Sequence, residues 1–250
     1  MQMKKRTSVI VILLCALLLI SLAACAGSGS AGKTSGPTES TAGRETEPEP
    51  KQTEPESEPG ETTEPASAPH EPTASDSTVL VVYFSRTGEQ YTVGVIDKGN
   101  TAIVAEMIAE QTGADLFEVI PADDHYPMTY DELTDVAKRE QNEKARPAYA
   151  GSLPDLSQYD TVFIGSPVWW GDWPMIMYTF FENNGEALAG KTLIPFSTHE
   201  GSGLSGFDKK LASACPNSTV GEGLAIRGND CQNNQDSVRE SITNWLSGLG

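Results

Sequence analysis

The chain has 250 residues, 17 Lys+Arg against 35 Asp+Glu, a formal net charge of -18 and a hydrophobic fraction of 38%. That charge excludes a nucleic-acid partner, because a phosphate backbone is held by clustered Lys and Arg, and it favours a partner with a basic docking surface. The low apolar content is local, so the chain is divided before it is interpreted.

Lys4, Lys5 and Arg6 precede a nearly unbroken apolar run at 9–20, and Leu22-Ala23-Ala24-Cys25 follows. The run is shorter than the ~20 residues of a membrane span. A basic head, a short apolar stretch and small residues describe a signal peptide. Leu-Ala-Ala-Cys resembles the bacterial lipobox, which implies lipidation of Cys25, a signal segment at 1–25 and an extracytoplasmic, lipid-anchored protein. Residues 26–77 hold eight Pro and eleven acids among Thr, Ser and Gly, with no aliphatic or aromatic residue larger than Ala. Such a segment cannot offset its ordering entropy and is expected to be a disordered linker, with His70 a solvated side chain. Random-coil scaling gives it a reach on the order of 40 Å.

Two stretches, 27–34 and 185–192, match the phosphate-loop pattern G-x-x-x-x-G-K-[ST]. The pattern works only between a strand and a helix. The first match has neither, and the second precedes its strand, so neither is read as a nucleotide site.

The domain is expected over 78–250, with a net charge of -13. Apolar runs at 79–84, 116–120, 161–164, 192–196 and 224–226 (the last starting near Thr219) read as buried strands. Helical patterns fall between and after them at 101–111, 131–144, 175–182, 207–214 and 236–246, with Gly113 ending the first and Pro174 in the first turn of the third. Five alternating strands and helices imply a doubly wound α/β fold with a parallel sheet. Ligands of such folds sit beyond the carboxyl ends of the strands, so the loops after strands one, three and four are the candidate site.

After strand one come Ser85, Thr87 and Gly88, then an insert at 89–99, then Asn100-Thr101 opening a helix; hydroxyls and N–H groups at a helix start suit a phosphate. After strand three come Pro167, Val168, Trp169, Trp170, Gly171, Asp172 and Trp173. This Trp-rich loop suits a flat aromatic ligand, with Gly171 allowing close approach. After strand four come Thr198, His199, Glu200, Gly201, Ser202 and Gly203, a third side of one pocket.

These three loops, in this order, resemble the flavodoxin family, and most closely its small bacterial flavodoxin-like FMN proteins. Ser85, Thr87 and Gly88 match the first half of the family motif [ST]-x-[ST]-G-x-[ST], and Asn100-Thr101 resemble its displaced second half. The Pro167 and Thr198 loops resemble the two flavin-flanking loops. The resemblance implies a five-stranded parallel sheet in the order 2-1-3-4-5 with helices on both faces, FMN as cofactor, and electron transfer to a redox partner protein. Two departures stand out. The insert covers the phosphate or contacts the ring, with Gln90 and Tyr91 as candidates. The second flavin loop lacks the stacking Tyr, so His199 or Glu200 serves there or that face is open. Asp172 and Glu200 are the carboxylates nearest the ring by sequence.

The alternative on the same fold is an NAD(P)H-dependent FMN or quinone oxidoreductase. A non-redox binder of flat anions is a third reading, and a serine hydrolase, lacking G-x-S-x-G, a poor fourth. No metal site is read from the four Cys and three His. His125 reads as surface. Cys215 and Cys231 flank strand five, whose ~26 Å length keeps them apart unless it is short or bent.

Overall fold

The computed structural model describes residues 78–249. The signal segment, Cys25, the linker with His70, and the phosphate-loop pattern at 27–34 lie outside the described residues.

Chain order runs β1 (Val79–Tyr83), β2 (Gly88–Gln90), β3 (Gly94–Ile96), α1 (Asn100–Thr112), β4 (Asp115–Glu118), β5 (Ile120–Pro121), α2 (Tyr130–Glu143) and β6 (Tyr149–Ala150). A single 3-10 turn at Leu156–Gln158 leads to β7 (Thr161–Pro167), α3 (Met175–Asn184), β8 (Thr192–His199) and α4 (Phe207–Ala214). Then come β9 (Thr219–Val220), β10 (Leu224–Arg227), α5 (Gly228–Asn233) and α6 (Gln235–Ser247).

The main sheet is parallel, in the order β4-β1-β7-β8-β10, with β9 pairing the start of β8. Counting β9 and β10 as one broken strand, this is the expected order 2-1-3-4-5. Strand side chains alternate between two cores, as the period of two requires. Leu80, Val82, Phe84, Val162, Ile164 and Leu193 share one with Ile176, Phe180 and Leu211 of α3 and α4. Val81, Tyr83, Phe163, Ile194 and Phe196 share the other with Ile103, Val104 and Ile108 of α1 and Val238 and Ile242 of α6. Gly165 of β7 is confined to glycine, because a Cβ there would lie 2.1 Å from the Phe196 ring.

The fifth strand breaks for a reason written in β8. Its partners jump from Leu193↔Val220 to Phe196↔Leu224, and Pro195 lies opposite the gap. A Cβ on Gly223 would come 2.9 Å from the Pro195 carbonyl oxygen, so that carbonyl points toward this edge. In an extended residue the nitrogen points to the same side, and proline has no N–H to offer there. The edge chain bows out instead, and Trp245 of α6 donates its indole N–H to the Glu222 carbonyl at 2.9 Å.

Several boundaries move. The third and fourth strands outlast their apolar runs: Ser166↔Ser197 and Pro167↔Thr198 continue the ladder, so Gly165–Pro167 and Ser197–His199 are strand rather than loop. Sheet pairing overrides the turn-like composition there. The second strand ends at Glu118, and Ile120–Pro121 instead pairs antiparallel with β6. Pro174 caps α3 from just outside its first turn. The insert forms a hairpin, β2 against β3. The short α5, polar throughout except Cys231, carried no apolar stripe to announce it.

At 185–192, Gly185 closes α3 and the Lys191 ammonium is spent on the Tyr159 carbonyl at 2.6 Å, with β8 following. Cys215 and Cys231 are both free and buried, in the two different cores. Strand five is short after all, but the sheet itself keeps the two thiols apart.

Candidate functional site

The Trp loop is a tight turn. Trp169 and Asp172 exchange both backbone hydrogen bonds at 3.0 Å, and Trp170 (φ 51°) and Gly171 (φ 72°) between them are left-handed. This is the twist-matched two-residue hairpin turn, and Gly171 is the residue that makes it cheap. Phe84 and Tyr126 pack edge-on against Trp169, with centroids 5.4 and 5.2 Å away, so its ring is a fixed wall. Trp170 is half-exposed; its indole N–H donates to the Thr134 carbonyl of α2 at 2.9 Å, and Lys138 lies 4.7 Å over its ring. Trp173 belongs elsewhere: it is buried and stacked on Phe207 at 3.7 Å.

The start of α1 is held by side chains rather than by a capping hydroxyl of its own. The Ser85 hydroxyl accepts from the Ala102 N–H at 3.0 Å. Gly99 must be glycine, since a Cβ would fall 2.1 Å from that oxygen. The Thr101 and Thr198 hydroxyls lie 2.8 Å apart, both buried, and join α1 to the end of β8. The Asn100 amide oxygen accepts from Gln232 at 2.7 Å. The first N–H groups of the helix have no intrahelical carbonyl to bond.

At the end of β8, His199 accepts from the Gly201 N–H through Nδ1 at 2.8 Å, and burial pushes its pKa down, which keeps the ring neutral. The Glu200 carboxylate accepts from the Asn229 N–H at 2.6 Å and pairs with Arg227 at 3.3 Å. Asp172 accepts from Tyr178 at 2.9 Å and pairs with Lys210 at 3.2 Å. Both carboxylates therefore have a cation beside them, which damps the field either exerts on its surroundings.

These loops enclose a cleft of about 300 Å³ at the carboxyl ends of β1, β7 and β8, at the lower end of the size range of small-molecule sites. Of the sequence-derived candidates, Asn100, Pro167, Val168, Trp169, Trp170, Gly171, Thr198, His199, Glu200 and Ser202 line it, as do Gln90 and Tyr91 of the insert. Ser85, Thr87, Gly88, Thr101, Gly201 and Gly203 do not. Ser85 and Thr101 act one layer behind, on the helix start. Thr87 is exposed, and Gly88 begins the hairpin at φ 85°, where a Cβ would meet the Met128 carbonyl at 2.7 Å. Sequence reasoning missed Val93, Gly228, and Tyr130, Leu133, Thr134 and Ala137 of α2. The last four follow the i, i+3, i+4, i+7 spacing of one helix face, a signal hidden by the polar composition of that segment.

A family model described as Flavodoxin matches residues 78–248. The chain belongs to the flavodoxin family. A candidate flavoprotein from Bacteroides eggerthii is 30% identical, covering 69% of this chain and 97% of its own, with a TM-score of 0.54. A second, from Bacteroides uniformis, is 30% identical over 68% of this chain and 97% of its own, with a TM-score of 0.52. A Lactobacillus acidophilus flavoprotein solved in complex with FMN is 22% identical over 64% of this chain and 98% of its own, with a TM-score of 0.47. No curated protein matches.

As a flavodoxin, the chain departs from the familiar pattern at its second loop, where no aromatic residue lies between Thr198 and Gly203. Both His199 and Glu200 line the cleft, but the Glu200 carboxylate is spent on the Asn229 N–H, and of the two His199 alone carries a ring. A further ring comes from outside that loop: Tyr91 of the hairpin, stacked on Tyr130 at 5.4 Å.

Proposed function

We propose that this flavodoxin binds FMN in the cleft and works as an electron carrier, tethered outside the cytoplasmic membrane by lipid on Cys25. The observation that carries the reading is the make-up of the cleft: Trp169, Trp170 and Tyr91 line it together with Asn100 of the first turn of α1. Aromatic side chains suit a flat ring, and a helix start suits a phosphate.

Flavin held there would supply the redox chemistry, and the protein supplies position and electrostatics. Trp169 is braced by two rings, so it offers a flat surface that does not need to be ordered on binding. Asn100 faces the cleft from the first turn of α1, where the helix dipole favours negative charge. The Thr101–Thr198 hydroxyl pair sets the distance between that helix start and the second loop. His199, kept neutral, adds a polar edge without adding charge. The domain's net charge of -13 suits a redox partner with a basic docking surface.

Absorption spectra of the purified protein with and without FMN, followed by anaerobic NADH, test the reading. The expected result is a flavin spectrum perturbed from that of free FMN and not bleached by NADH alone. Bleaching would move the protein to an NAD(P)H-dependent oxidoreductase, and an unperturbed spectrum would overturn flavin binding. Cys25→Ser is expected to abolish lipid labelling and membrane retention; full retention would overturn the tether.

A further inference from the structure

Resting on that reading, we infer that the β2–β3 hairpin supplies the second aromatic wall of the ring site, with Tyr91 as the contacting side chain and Glu89 as its anchor. The hairpin occupies the place where the phosphate motif is interrupted, yet it lines the cleft and stacks on an aromatic side chain of α2. Gln90, Tyr91 and Val93 line the cleft together with Tyr130, Leu133, Thr134 and Ala137 of α2 and with Trp170, whose indole is bonded to Thr134. Tyr91 stacks on Tyr130 with the rings 29° from parallel. One face of Tyr91 is thereby backed, and the side chain is still 55% exposed.

The hairpin is pinned rather than adrift. The Glu89 N–H donates to the Met128 carbonyl at 2.7 Å, and the Glu89 carboxylate accepts from the Tyr130 N–H at 2.9 Å. One residue thus ties the hairpin to the loop before α2 and places a negative charge at that helix's positive end. Left-handed Thr92 (φ 59°) and Gly94 (φ 92°) fold the tip back. Among the described residues, the large apolar side chains left exposed are Tyr91, Val95, Met128 and Trp170. Two sit on the hairpin, one at its base and one on the Trp loop. Of these, Tyr91 and Trp170 line the cleft, where a ligand would cover them. The second flavin loop brings no aromatic residue, and the insert brings one.

The test uses the full-length protein in detergent, with dissociation constants for FMN and for riboflavin read from flavin fluorescence quenching. Tyr91→Ala is expected to weaken both about tenfold and to reduce the quench of bound flavin, while Tyr91→Phe stays within about twofold of the parent. Glu89→Gln is expected to show a smaller loss of the same kind, with riboflavin again tracking FMN. Near-ultraviolet circular dichroism of each variant checks that the domain remains folded. If Tyr91→Ala changes neither ligand, the hairpin does not touch the ring and the inference fails while the flavin reading stands. A loss confined to FMN would place the hairpin on the phosphate and also overturn it. If the parent protein binds neither ligand, the flavin reading itself falls and the inference with it.

Discussion

The Thr101 hydroxyl on α1 lies 2.8 Å from the Thr198 hydroxyl on β8, and both are buried. The pair joins two stretches that are 97 residues apart in sequence and that both border the cleft. Replacing Thr198 by Val keeps the shape and strands the Thr101 hydroxyl. Stranding a buried donor costs about 1–3 kcal/mol. Urea unfolding should show a loss of that size, and FMN affinity should fall with it. Thr198→Ser should restore both.

Trp169→Ala removes a ring on which Phe84 and Tyr126 both pack edge-on. We expect a stability loss below the ~3–5 kcal/mol of truncating a fully buried Trp or Phe, because Trp169 is only partly buried. FMN binding should weaken by more than it does in Tyr91→Ala, because the braced wall is lost as well as the contact. Equal affinity in a flavin titration would remove Trp169 from the site.

Both ring nitrogens of His125 meet acceptors: Nδ1 faces the Asp123 carbonyl at 2.9 Å and Nε2 faces Glu140 at 2.8 Å. The Glu140 hydrogen bond raises the His125 pKa above its ordinary value, although the ring is partly exposed. A raised histidine contributes stability that is fully present below the unfolded value of about 6.5 and fades as pH rises through the folded value. His199, lowered by burial, acts oppositely and weakens the fold as pH drops below about 6.5. Unfolding free energy measured from pH 6 to 9 should decline more for the parent than for His125→Gln. Parallel curves would deny the pair any thermodynamic weight.

Burial pushes the Cys215 thiol up to about 11 and the Cys231 thiol up to about 12. Only the thiolate reacts with disulfide reagents, so neither thiol should be modified in the native protein at pH 8. Both should react on unfolding in guanidinium. Fast native labelling of either one would mean that its core opens readily.

The five strands and most helices were legible because buried parallel strands are short apolar runs and the helices between them carry periodic stripes; the order of the strands came only with the resemblance of the three loops to the flavodoxin family. The carboxyl ends of β7 and β8 were not legible. Ser166, Pro167, Ser197 and Thr198 have turn-like side chains, and only a neighbouring strand makes them extended. The cleft's near walls, Trp169 and His199, could be named from strand-to-loop order. Its far wall could not, because Tyr130, Leu133 and Ala137 sit on a helix whose polar composition hides its apolar face. The hairpin was visible only as an interruption; its fold depends on Glu89 reaching the loop before α2, a contact that sequence spacing does not announce.

The gap opposite Pro195 has a consequence for crowding. A continuous outer strand would offer an unbroken row of backbone donors and acceptors to a neighbouring molecule. Here the row is cut to two residues and four, and between them Trp245 occupies the Glu222 carbonyl. Crowded copies would find no long template at this edge for strand-by-strand polymerisation, and Pro195 of β8 lies opposite the break that removes it.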